Sequence, residues 1–277
     1  MKYIEALILE RIHNAHESPW FPGLAEILVA QEWNRLKQTS GIDATSYSSQ
    51  AILSGKVEQV EKLTWVNGNR IPIVPVPAEC LGESDQYGSY IQGDVLPLDV
   101  KDCIEEAFAI LETEKTIAET VLSLVKNLHI LKLENDAYDT SFSLPNIPFS
   151  IFISVPTERL NHDSLRVAEA ILHESMHLQL SLIEKNIRLM AEVNQMFYSP
   201  WKAENRDAGG ILHALYVFQT IRGFVSQLLN NEQYENFYSY LNKRKNNIEE
   251  EISSISGFEK SNALTDIGKL LAQKLIN

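Results

Sequence analysis

In 277 residues there are two cysteines, Cys80 and Cys103, and they form no CxxC pair. That excludes a disulfide framework and suits a reducing, cytoplasmic setting. Long apolar runs are missing as well. No stretch of about 18 apolar residues occurs anywhere, so no membrane-spanning helix is expected. The opening stretch MKYIEALILERIHNAHESPW carries apolar residues at helical spacing, but Glu5, Glu10 and Arg11 interrupt them. It has no small-residue cleavage site, and a secretory signal is not expected. Basic excess is also lacking: 24 Lys and Arg stand against 37 Asp and Glu, a formal net charge of −13. Such a balance argues against a nucleic-acid backbone as partner and would suit a basic peptide.

What is present reads as a mainly α protein. The length permits one large domain or two small ones, and a core of useful size needs no disulfides. Residues 2–16 and 22–38 show apolar positions every three or four residues, with the breaker ESPWFPG between them. From residue 64 to 99 the chain turns rich in proline and glycine. There, VNGN predicts a hairpin turn between LTW and IPIVPV, and the prolines assign any strand to a sheet edge. This segment is expected to be an irregular arm or lid. Helical spacing returns over 100–133, FSIFISV at 149–155 predicts one strand, and a long helix follows over 161–190. YSPWKAENRDAGG reads as a loop, ILHALYVFQTIRGFVSQLL as a helix, and two more helices over roughly 231–255 and 259–276 close the chain. The expectation is a single catalytic domain over 1–277. It comprises a helical part over 1–63, the arm over 64–99, and a helical core over 100–277 with a small β element before the motif helix.

That motif is LHESMHLQL at 172–180. On a helix, residues four apart share a face, so His173 and His177 could hold one metal ion. In a zinc peptidase of this H-E-x-x-H type, Glu174 would be the general base. Two imidazoles do not complete a catalytic site, and a third protein ligand is needed. The extended HExxHxxGxxH form is absent, because Leu180 and Ile183 occupy its later positions. Glu192 or Glu204 could serve as an acidic third ligand. Among the other histidines, only His213 opens a helix after a Gly-Gly turn; His13, His16, His129 and His162 read as structural or surface residues. Imidazole suits iron as well as zinc, so the residue types alone do not choose the metal.

RVAEAILHESMHLQLSLI followed by YSPWKAENRDAGGILHALYVFQTIRGF resembles the HExxH-type peptide-modification family, α-ketoglutarate-dependent peptide β-hydroxylases of ribosomal peptide pathways. The matching positions are Ala168, Glu169, His173, Glu174, His177, Tyr198, Pro200, Trp201, Arg206, Gly210, Leu212, His213, Ala214 and Tyr216. The resemblance covers residues 140–225. It implies Fe(II) bound by His173, His177 and His213, with α-ketoglutarate and O2 as cosubstrates and a precursor peptide as substrate. The distal carboxylate of α-ketoglutarate would need a cationic partner, with Arg206 first and Lys202 and Arg222 behind it. Glu174 would then orient ligands, and Tyr198 and Trp201 would line a peptide groove. The chain departs from the family pattern at Lys202, where arginine is usual. It also has no prolines flanking Arg206, and PNIPF stands in place of a glycine turn. Two rival readings remain open: a zinc metallopeptidase, and a non-catalytic helical peptide-binding module.

Overall fold

The computed structural model describes residues 2–40, 64–68, 70–74, 95–132, 140–144 and 147–277. It is mainly α, with helices α1 (Lys2–His13), α2 (Leu24–Ser40), α3 (Leu98–Leu111), α4 (Lys115–Leu124), α5 (Asp163–Glu184), α6 (Ala208–Leu229), α7 (Tyr238–Ser254) and α8 (Asp266–Ile276). Among the described residues no helix is long and apolar enough to cross a membrane. The chain divides into two compact units, Val29–Leu178 and the combination of Met1–Leu28 with Gln179–Asn277. Helices α2 and α5 each contribute residues to both.

The first unit is built on a five-stranded sheet of order β1-β2-β3-β5-β4. Its strands are β1 (Thr64–Val66), β2 (Ile71–Ile73), β3 (Asn127–Lys132), β4 (Ser141–Phe142) and β5 (Ser150–Val155). Strands β2, β3 and β5 run parallel, while β1 and β4 are antiparallel edges. As expected, β1 and β2 form a hairpin, with Val66 opposite Ile71 and Asn67 and Gly68 turning the chain; Asn69 lies outside the described residues. Contrary to the expectation from its prolines, β2 lies inside the sheet. The ladder to β3 is one rung, Ile73 opposite Leu128, and the amide that reaches β3 is that of Val74, 2.9 Å from the Leu128 carbonyl. Pro72, two residues earlier, turns the same side toward β3 and has no N–H to donate, in keeping with a ladder of one rung.

The expected helix over 100–133 is also corrected. It breaks into α3, α4 and the buried strand β3. Five of the six residues of β3 and all of β5 are buried, the pattern of parallel strands covered on both faces. On one face His129 stacks on Phe152 at 4.4 Å, and Phe142 stacks on Phe152 at 4.6 Å. The carbonyl of Val74 accepts from His129 Nδ1 at 3.0 Å, consistent with a structural histidine. Phe152→Ala, which deletes the ring at the centre of this stack, is expected to cost about 3–5 kcal/mol. The midpoint of urea unfolding checks it. Phe149, just before β5, has φ of +60° and packs its ring against Trp33 at 4.7 Å. Its carbonyl accepts from the amides of both Lys126 and Asn127.

The second unit is helical apart from one hairpin. The expected loop over 198–210 is instead strands β6 (Met196–Ser199) and β7 (Glu204–Asp207), paired antiparallel, leading directly into α6. The long motif helix stops at Glu184, and Met190 beyond it bridges to Leu264. Phe21 stacks on the fully buried Tyr216 of α6. Burial pushes the Tyr216 hydroxyl well above the ordinary tyrosine range. Residues 75–94, most of the expected arm, lie outside the described residues.

Candidate metal centre

The helix that carries the motif begins where Asp163, fully buried, accepts from the Leu160 amide at 2.6 Å and from Arg166 at 2.9 Å. From there α5 runs unbroken to Glu184, which settles the spacing of His173 and His177 as adjacent turns of one face. Their Nε2 atoms are 3.1 Å apart. Two imidazole nitrogens sharing one metal at about 2.1 Å are separated by roughly 3.0 Å at a right angle and roughly 3.4 Å at the tetrahedral angle. The observed separation falls in that span, so the pair fits a metal ion. Without a metal, the same contact requires one ring to donate and the other to accept.

Glu174 is 2% exposed. Its Oε1 accepts from Ser141 Oγ at 2.7 Å and lies 3.8 Å from His173 Nε2. The partner comes from β4, the short edge strand antiparallel to β5, so the sheet fixes the carboxylate beside the first imidazole. A buried carboxylate held this way has a fixed orientation.

The remaining predicted residues lie in the helical unit. His213, one turn into α6, has its Nε2 3.0 Å from Glu184 Oε2, at the last residue of α5. Asp207 caps α6, its Oδ1 accepting from the Gly210 amide at 2.7 Å. Arg206 lies across the same turn: a Cβ on Gly210 would sit 3.1 Å from Arg206 Nε. Lys202 is exposed and Arg222 half-buried. Trp201 stacks on Phe218 of α6 at 5.2 Å with its rings 5° from parallel, while Arg244 covers Phe218. Trp201 thus has a packing partner, whereas Tyr198 is 60% exposed on β6. Glu192 is exposed and paired with Arg188, and Glu204 is exposed on β7.

Among the described residues, no three His, Cys, Asp or Glu side chains are grouped so as to hold a metal ion. The structure brings His173 to His177, and His213 to Glu184. Sequence reasoning missed Glu184 and Ser141. Glu184 was accessible to it, since positions 177 and 184 are seven apart and share a helix face. Ser141 was not, because its role depends on a strand pairing that the chain does not spell out locally. No family profile matches the chain, and no curated protein is significantly similar to it.

Proposed function

We propose that the protein is an Fe(II)- and α-ketoglutarate-dependent oxygenase that hydroxylates a β-carbon in a ribosomally made precursor peptide. The observation that carries this reading is the 3.1 Å approach of His173 Nε2 to His177 Nε2 on one helix face. His173 and His177 would hold the metal, with His213 as third ligand. Iron, when bound, would supply oxidising power toward the peptide C–H bond, with dioxygen as the oxidant and α-ketoglutarate oxidised to succinate and carbon dioxide alongside it. Arg206 is the proposed partner of the distal carboxylate of α-ketoglutarate, supported by its guanidinium lying across the turn that precedes His213. The net charge of −13 suits a basic peptide substrate, and a cytoplasmic setting belongs to the same proposal, supported by the low cysteine count.

A second reading, a zinc metallopeptidase, is favoured by one observation. The buried Glu174 carboxylate lies 3.8 Å from His173 Nε2, close enough to serve as base for a water in that site. The two readings are separated by metal content of anaerobically purified protein together with succinate formation from α-ketoglutarate. Stoichiometric iron and succinate release, even slow and without peptide, are expected. Zinc with no succinate, and fragments of a candidate peptide formed without α-ketoglutarate, would return the site to the peptidase.

A further inference from the structure

We infer that Glu184 is a positioning residue for His213, fixing the ring so that Nδ1, and not Nε2, carries the lone pair. The inference rests on the reading of His213 as third metal ligand. A carboxylate only accepts hydrogen bonds, so at 3.0 Å the hydrogen lies on His213 Nε2. A neutral imidazole then keeps its lone pair on Nδ1, and only a lone-pair nitrogen ligates a metal. His213 would therefore bind through the nitrogen opposite to the one that His173 and His177 turn toward each other. A carboxylate on the far nitrogen also raises the donor strength of the ring.

A second observation argues that Glu184 is not there for the helix. It is the last residue of α5, whose final turn contains no basic residue. An acidic side chain at that end opposes the helix dipole, so local stability does not favour it. Both side chains are partly shielded, at 20% exposure for His213 and 30% for Glu184, which strengthens the pair relative to one in open water.

The test reads the tautomer directly in metal-depleted, 15N-labelled protein by long-range 15N–1H correlation, in alkaline buffer where imidazole rings are neutral. A His213→Ala spectrum supplies the assignment. Wild type is expected to show His213 protonated at Nε2. Glu184→Gln, which keeps an acceptor, should preserve that form, and Glu184→Leu should give a mixture. Iron affinity of Glu184→Leu should fall by about 10–100-fold, less than that of His213→Ala. Protonation at Nδ1 in wild type, or an unchanged tautomer in Glu184→Leu, overturns the inference. Should Glu184→Leu not fold, the wild-type and Glu184→Gln spectra still decide. Full iron affinity in His213→Ala, with the expected wild-type tautomer, instead overturns the ligand reading beneath it.

Discussion

Replacing His173 or His177 with alanine is expected to reduce bound metal to background and to abolish every activity that depends on it. The expectation follows from the proposed role of the pair: two nitrogens 3.1 Å apart would hold a metal together, and either variant leaves one half-buried imidazole of the two. A thermodynamic readout avoids any assumption about substrate. At a free metal concentration about 100-fold above the dissociation constant, binding stabilises the native state by about 2.7 kcal/mol. Wild type should therefore unfold later when Fe(II) or Zn(II) is added, and neither variant should. A metal-induced stabilisation retained in both variants would move the metal away from α5.

The second large effect belongs to Glu174→Gln, where the two enzyme readings part. General-base catalysis contributes about 10²–10⁴-fold, so a peptidase losing this carboxylate should lose that factor while its metal stays bound. A hydroxylase draws no proton through Glu174 in the proposed chemistry and should slow by less than about tenfold. The change is close to isosteric, and the Gln carbonyl can still accept from Ser141 Oγ. Mass spectrometry of a precursor peptide after incubation with Fe(II), ascorbate and α-ketoglutarate distinguishes a gain of about one oxygen mass from backbone cleavage. A collapse of hydroxylation in Glu174→Gln to a thousandth would overturn the orienting role.

The motif helix was legible because its signal is local: apolar spacing and two histidines a turn apart fall within one element. The β1–β2 hairpin was legible for the same reason, since VNGN carries its turn chemistry in four residues. Strand β3 was not. Leu128, Ile130 and Leu131 continue the apolar texture of α4, and a fully buried strand has no alternation to set it apart from a buried helix. The β6–β7 hairpin failed from the opposite side, because five of its eight strand residues are exposed, β7 is mostly charged, and Pro200 follows β6 directly. In the site, the His173–His177 pair was readable from spacing alone. The contacts of Glu174 with Ser141 and of His213 with Glu184 join residues 33 and 29 positions apart, and no local pattern encodes them.

The left-handed backbone at Phe149 bears on how reproducibly that site forms. A non-glycine residue there costs on the order of 1–2 kcal/mol, offset here by the ring contact with Trp33. The strained carbonyl gathers the amides of Lys126 and Asn127, which pins the first rung of β3 against β5, Asn127 opposite Ser150. Parallel strands buried on both faces have little in their side-chain pattern to forbid a slip, and a slip by one residue exchanges the two faces. Such an exchange would reverse Phe152 and carry β4, with Ser141, out of step with Glu174. The distortion at one buried phenylalanine thus acts as an alignment pin, converting local strain into a single permitted phase for the sheet that orients the carboxylate.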